Sequence, residues 1–222
     1  MERPPAQGRK AAIREEQEAK ILAAAEEVFG QYGLHGATMA MVAERAGVPK
    51  PNVHYYFKSK EELYLTLLAR VLRTWLAVAD TLDAAEEPAA ALEAFVRAKL
   101  AFSREHPLAS KVFANEIING APYLLPLLRG ELREFVEAKA AVFEQWMAAG
   151  KMRRVEPRHL LFLLWAMTQT YADFHDQIVA VLGRRELSDA DYAAAIETIL
   201  TLVLEGLGVR GQSAEPAQRR PR

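Results

Sequence analysis

The sequence predicts an all-α protein: an N-terminal three-helix helix-turn-helix domain followed by a larger C-terminal helical domain, about nine helices in all. Three observations carry that expectation. Apolar residues recur at three- and four-residue spacing along nearly the whole chain, with no sustained alternation of the strand kind. Proline and glycine stand at the joints of the periodic segments, with Pro88, Pro107, Pro122 and Pro157 at starts and Gly120, Gly150 and Gly183 at ends. The 222 residues are 51% apolar and 26% charged, enough to bury a core and keep it in solution.

The first helix carries Leu22, Ala25, Phe29 and Tyr32 on one stripe, widened by Ile21 and Val28, and "GQYG" (30–33) ends it. Thr38 is the expected N-cap of a short second helix bearing Val42 and Ala43, which "AGV" (46–48) stops. "PKPNVHYYF" (49–57) forms a third, very short helix. Pro49 and Pro51 fit its first turn, where a missing N–H would have no partner anyway. Ser59 caps a fourth helix running to Leu82, with Glu62 as its capping-box partner. Further helices are expected over 88–105, 108–119, 122–149 (broken near Gly130), 157–182 and 189–207. The helix-turn-helix domain then covers 15–60 and the second domain 61–208. Residues 1–14 and 209–222, polar and rich in Pro or Arg, are expected to be disordered arms.

Composition excludes several classes of function. With no cysteine there is neither a disulfide scaffold nor thiolate chemistry. "MERPPAQGRKAAI" has no apolar signal-peptide core, and the longest apolar run, "LLFLLWAM" (160–167), is far short of the roughly 20 residues that span a bilayer. A cytoplasmic protein without a membrane partner is expected. No G-x-S-x-G, Gly-rich phosphate loop or His-x-x-x-His is present, so neither an enzyme nor a cofactor is expected. Asp173 and His175 lack a third clustered ligand, and no metal is expected there. Net charge is −1, but residues 1–60 hold nine Lys/Arg against seven Asp/Glu, whereas the rest holds nineteen against twenty-two. The weakly basic end is the one suited to a polyanion.

That end also holds the motif. In a helix-turn-helix the second helix braces the DNA backbone, and the third enters the major groove with its N-terminal residues toward base edges. Here those residues are Lys50, Pro51, Asn52 and His54. Lys50 can donate to guanine or to phosphate, and Asn52 can bond an adenine edge or a phosphate. Val53 and Phe57 are expected to point inward, leaving the Tyr55 and Tyr56 hydroxyls for phosphate oxygens. Thr38 is placed with these phosphate contacts, as is Lys60, in the first turn of the next helix, where its charge and the free backbone N–H groups both attract an anion.

"ATMAMVAERAGVPKPNVHYYFKSKEELY" (37–64) resembles the DNA-binding domain of the TetR family of bacterial transcriptional regulators. It shares a Thr-led second helix, an Ala-Gly-Val turn, a short third helix ending in aromatics, and a Lys-Ser-Lys-Glu step into a long helix. His54 stands where the family usually has Tyr or Leu, and Pro51 where Gly or Thr is common. "HPLASKVFANEIINGAPYLLPLL" (106–128) and "HLLFLLWAMTQTYADFHDQIVAVLG" (159–183) resemble the ligand-binding domain of a pyrimidine-sensing member of that family. The resemblance implies a ligand-responsive regulator, expected to be a repressor, that binds a small effector, uracil or thymine, in a helical pocket.

Within these segments Trp165, Thr168 and Gln169 share one helix face at i, i+3, i+4, with Tyr171 close by. Gln169 offers both a carbonyl and an amide, the pattern that matches a lactam edge, and Trp165 a flat face for a planar ring. A polar ridge at a subunit interface is the alternative role for these residues. Trp75 on the fourth helix is a second candidate wall or a plain core residue. Glu116, with Asn115 and Asn119 in "NEIING", either faces the pocket or serves capping and the surface. A larger hydrophobic effector, or a DNA-organising protein of this fold with no effector, also remains open.

The last two helices predict a homodimer. "LLFLLWAM" leaves almost no polar face, and Tyr192, Ile196, Ile199, Leu200, Val203 and Leu207 form a broad stripe. A helix apolar all round must be buried all round, and a second subunit can complete an isologous four-helix interface. Two reading helices then imply a palindromic double-stranded DNA operator.

Overall fold

In the computed structural model of the protein, which describes residues 6–209 (side chains from residue 11), every regular element among the described residues is helical. Helix α1 (Ala6–Gly36) begins at Ala6, so residues 6–14 are helical where a disordered arm was expected. The physical reason is local: Ala, Arg, Lys, Glu and Gln dominate "AQGRKAAIREEQEAK", and all are strong helix formers. Residues 1–5 and 210–222, the remainder of the two expected arms, lie outside the described residues, while Val209 is buried. α1 buries Ile21, Leu22, Ala25, Val28 and Phe29. Tyr32 is exposed instead, one residue before Gly33, whose φ of 65° and ψ of 175° interrupt the helix.

Helix α2 (Met39–Ala46) starts at Thr38, whose Oγ1 accepts the Met41 N–H at 3.2 Å. It ends at Gly47, where φ 64° and ψ 35° demand the left-handed conformation that glycine adopts without penalty. Helix α3 is Lys50–Tyr56 and α4 is Lys60–Val78. α4 tightens into a 3₁₀ turn at Ala79–Thr81, which closes the element by the expected Leu82. Ser59 Oγ accepts the Glu62 N–H at 3.0 Å as expected, but the Glu62 carboxylate reaches one residue further back than in a capping box, to the Lys58 N–H at 2.9 Å.

Then follow α5 (Pro88–Glu105), α6 (Pro107–Ile118), α7 (Leu125–Leu127) and α8 (Arg133–Ala148), the last two joined by a π-helical turn, Leu128–Leu132. The expected break at Gly130 is this π turn. The segment expected as one helix over 157–182 is two, α9 (Pro157–Asp173) and α10 (His175–Val181), separated at Phe174 with φ −117° and ψ 31°. Neither proline nor glycine marks that break. α11 (Asp189–Leu207) opens with a capping box between Ser188 and Asp191.

The helices gather into two compact units that interleave along the chain. One comprises the described residues up to Arg73 with His106–Leu128; the other comprises Thr74–Glu105 with the described residues from Arg129 on. In the first, α1 packs on α2 and α6, and α2 on α3, around Ile21, Phe29, Val42, Val53, Leu63 and Leu67. In the second, α5 packs on α9 and α11, and α8 on α9, around Leu92, Phe95, Phe143, Leu161, Leu164 and Val203. Each such side chain contributes about 1.5–3 kcal/mol by leaving water. The α11 stripe of Ile199, Leu200, Val203 and Leu207 lies inside this core. The outward apolar residues are others: Phe162 and Leu163 on α9, Val181 on α10 and Leu202 on α11.

Candidate functional site

The helix-turn-helix face is built from its buried side. Val53 and Phe57 are both buried and fix α3 against α2, with the Phe57 N–H donating to the Val53 carbonyl at 2.9 Å. Seven residues of helix with Val53 turned inward leave Lys50, Pro51, Asn52, His54 and Tyr55 on the outside, all exposed. Tyr55 is 75% exposed and meets the half-buried Tyr56 edge-on, ring centroids 5.2 Å apart. That contact steadies the ring of each on α3.

Beside α3 lie the two polar anchors. Thr38 Oγ1 is an acceptor in its cap, so its own O–H remains a donor. Lys60 Nζ donates to the Ala37 carbonyl at 3.1 Å, tying the start of α4 to the residue before Thr38 and keeping two further N–H donors. The first turn of α4 also carries Glu61 and Glu62, which complement its positive end. An anion at this helix start therefore depends on the Lys60 ammonium more than on free backbone N–H groups.

In the second unit α9 presents Trp165, half-buried with its ring 5.5 Å from Phe162, and the half-buried Gln169. Thr168 is fully buried and its hydroxyl is engaged by its own helix, donating to Leu164 O at 2.7 Å or to Trp165 O at 3.2 Å. Ser103 of α5 in turn donates to the Thr168 carbonyl at 3.2 Å, pinning α5 to α9. Trp75 is buried edge-on to Phe102, ring centroids 6.1 Å apart. Tyr171 faces elsewhere, toward a cleft of about 580 Å³ that it lines with Phe174, Ile178, Val181 and Leu182. Its ring lies 6.3 Å from Tyr192 of α11.

Glu116 belongs to the first unit and is buried there. Its carboxylate accepts the N–H groups of Tyr123 and Leu124 at 2.7 and 3.1 Å and the Tyr64 hydroxyl. It clamps the turn in which Ala121, a residue with a Cβ, adopts a left-handed φ of 54°. Burial, and then Glu116, push the Tyr64 hydroxyl well above the usual tyrosine range.

One residue escaped the sequence reading. Lys99 on α5 is 2% exposed, and its Nζ lies 4.2 Å above the centroid of the Trp75 ring. Burial lowers its pKa to about 7, against the pull of the Asp173 carboxylate, which favours the charged form. The signal was a lone lysine inside the stripe Leu92, Phe95, Val96, Leu100 and Ser103, all of them buried. Among the described residues no three His, Cys, Asp or Glu side chains gather as a metal site would need. No helix among them is long and apolar enough to cross a membrane.

Residues 21–67 match the family described as bacterial regulatory proteins, tetR family, and residues 68–210 match the YcdC-like protein, C-terminal region. This chain belongs to the TetR family of transcriptional regulators. It is 39% identical over 190 residues to the HTH-type transcriptional regulator RutR of Escherichia coli (strain K12), covering 86% of this chain and 90% of that one. Among solved structures, a bacterial regulatory protein in the tetR family from Rhodococcus RHA1 matches with a TM-score of 0.69 at 18% identity, covering 88% and 98% of the two chains. The TetR family transcriptional regulator PfmR from Thermus thermophilus matches with a TM-score of 0.67 at 18% identity, covering 83% and 97%. As a TetR regulator the protein is a DNA-binding transcription factor, not an enzyme.

Proposed function

We propose that the protein is a homodimeric repressor that binds a palindromic operator and responds to a small planar pyrimidine such as uracil or thymine. The observation that carries the DNA half is the outer face of α3, where Lys50, Pro51, Asn52, His54 and Tyr55 stand exposed over the buried Val53 and Phe57. Lys50, Asn52 and His54 read bases; Thr38, Tyr55, Tyr56 and Lys60 hold phosphates. A dimer sets the two α3 helices on half-sites about one DNA turn, roughly 34–36 Å, apart. Each phosphate contact releases condensed counterions, so log affinity falls against log salt with a slope of about −0.9 per contact. Lys60→Ala removes one contact per subunit. It is expected to weaken operator binding at least about tenfold and flatten the salt slope by roughly 2. An unchanged slope in titrations at several salt concentrations would remove Lys60 from the DNA face.

The effector half rests on the resemblance to pyrimidine-sensing members of the family and on the chemistry of α9. Trp75 and Trp165 offer flat faces, and Gln169 an amide that both donates and accepts. Thr168 and Glu116 contribute through the structure around them, given how the hydroxyl and the carboxylate are engaged, and Tyr171 through the cleft that it lines. α4 spans both units, Lys60–Arg73 in one and Thr74–Val78 in the other, so an effector held at Trp75 bears on the helix that begins at Lys60. Ligand and DNA then couple only as far as the ligand's affinity differs between two states of α4, typically about 1–3 kcal/mol.

The test is thermal unfolding with millimolar uracil, thymine and a panel of unrelated metabolites. A ligand present at about 100 times its Kd stabilises the native state by about 2.7 kcal/mol, a rise in midpoint on the order of 5–10 °C for a chain this size. A rise with a pyrimidine alone supports this function. A rise only with long apolar molecules favours a second reading, for which the cleft lined by Phe174, Ile178, Val181 and Leu182 is the supporting observation.

A further inference from the structure

Tyr64 and Glu116 make a buried polar contact where apolar packing would serve stability equally well. Tyr64 lies on α4, one turn after Lys60. Its ring is buried edge-on to Phe29 of α1 and to Tyr123, with centroids 5.0 and 5.7 Å apart. A phenylalanine would make those ring contacts with no hydroxyl to take out of water. Glu116, 4% exposed on α6, accepts three N–H groups of one turn. Its carbonyl takes that of Ala121 at 2.8 Å, and its Oε1 takes those of Tyr123 and Leu124 at 2.7 and 3.1 Å. The carboxylate accepts the Tyr64 O–H as well. That turn is strained. Gly120 and Ala121 are both left-handed, at φ 89° and 54°, and the Cβ of Ala121 disfavours the conformation. Such a residue persists where its surroundings over-determine it, and strain of this kind gathers at switch regions.

We propose that Tyr64 is a positioning residue for operator binding: its bond to Glu116 latches the first turns of α4 onto the strained turn between α6 and α7. The proposal rests on the DNA face assigned above and is independent of the effector. Location supports it first. The match to the C-terminal family region begins at residue 68, yet His106–Leu128 packs in one compact unit with α1 to α3 and the first part of α4. There α6 braces α1 so closely that a Cβ added at Gly30 would lie 3.0 Å from Leu108 Cδ2. Direction supports it next. Apolar contacts leave a helix free to turn a little about its axis, whereas a hydroxyl donating to a carboxylate holds one orientation. Lys60 and Tyr64 share a face of α4 at i, i+4, and Lys60 Nζ donates to the Ala37 carbonyl next to Thr38. The orientation of α4 therefore sets where the Lys60 ammonium stands beside Thr38. Strain completes it, because letting go of the turn relaxes Ala121, so the latch is reversible. The segment also leaves this unit at Leu128 through the π-helical turn Leu128–Leu132, a geometry frequent at functional sites.

The experiment uses a duplex operator that the wild-type protein selects from a random-sequence pool. Its affinity is measured for the full-length wild type, Tyr64→Phe, Glu116→Gln and Tyr64→Phe combined with Ala121→Gly, at several salt concentrations and well below each unfolding midpoint. Tyr64→Phe loses one O–H and keeps the ring. It is expected to bind about 5- to 20-fold more weakly, within the range of one hydrogen bond to a charged group, at an unchanged salt slope because no phosphate contact goes. Ala121→Gly removes the strain, so the double variant is expected to regain a large part of that loss. A hydroxyl with a merely structural role lowers the midpoint of Tyr64→Phe and leaves the affinity of the folded protein as it was. Should Tyr64→Phe fail to fold, Glu116→Gln decides, with a loss of severalfold expected because its amide oxygen is the weaker acceptor. Wild-type affinity in Tyr64→Phe, or in Glu116→Gln where it stands in, overturns the latch. So does a loss with an altered slope, which is a missing phosphate contact, and so does a loss that Ala121→Gly fails to reduce. A wild type that selects no operator removes the DNA face itself, and this inference with it.

Discussion

Replacing Leu163 and Leu202 together with aspartate is expected to turn the protein into a folded monomer with almost no operator affinity. Leu163 on α9 is 59% exposed and Leu202 on α11 is 64% exposed, although both helices are otherwise packed into their own unit. Single exposed apolar residues are ordinary, but α9 also exposes Phe162, and Val181 and Leu182 are exposed at the end of α10. A second copy of the same surface buries four leucines in an isologous interface, each contributing up to about 1.5–3 kcal/mol. Four aspartates in their place lose that contribution and bring like charges together. The total is on the order of the 12 kcal/mol that separates a nanomolar dimer from no association at 1 M. A monomer holds one half-site, and losing the linked second half-site costs roughly a hundredfold to ten-thousandfold in DNA affinity. Light scattering after size exclusion gives the mass, and an operator shift assay the affinity. A variant that stays dimeric at micromolar concentration would place the subunit interface elsewhere.

The reason those two leucines were not singled out from sequence is instructive. Periodicity located the helical stretches of α9 to α11 and showed too many apolar positions for one face. It could not say which apolar set faces inward, because a helix buried on one side by its own unit and exposed on the other reads as apolar all round. The stripe of Ile199, Leu200, Val203 and Leu207 was the more regular one, and it is the one the subunit core takes. The helix-turn-helix was easier to read. Its caps, Thr38, Gly47 and Ser59, are set by local chemistry that acts over three or four residues, and each stands where it was expected. Phe174 has no such marker, and the break between α9 and α10 was missed. The polar cluster around Glu116 shows a third limit. A buried carboxylate clamping the turn at Ala121 looks, in sequence, the same as one that faces a ligand. Lys99 was missed for the opposite reason: one lysine in an apolar stripe is usually at the stripe's wet edge, and only the packing around α5 puts it inside.

Lys99 should leave a pH-dependent signature on stability. Its pKa in the folded protein is lowered from 10.5 to about 7, first by burial, with Asp173 pulling the other way. Between those values the unfolded chain holds the proton and the folded chain has lost it, so the unfolded state binds more protons and stability rises with pH. Below about pH 7 both states carry the charge, and the folded state bears the full cost of keeping it out of water. Lys99→Met removes the charge at every pH. The variant is therefore expected to be more stable than the wild type by a few kcal/mol at pH 6, with the gap closing steadily between pH 7 and 10. Urea midpoints of both proteins at pH 6, 8 and 9.5 test this, and taking their difference cancels the titration of every group the two share. Parallel curves would mean that Lys99 titrates normally and is hydrated in solution. A converging pair would mean that the fold tolerates a destabilising buried ammonium, whose cost fades as the folded protein gives up the proton above about pH 7.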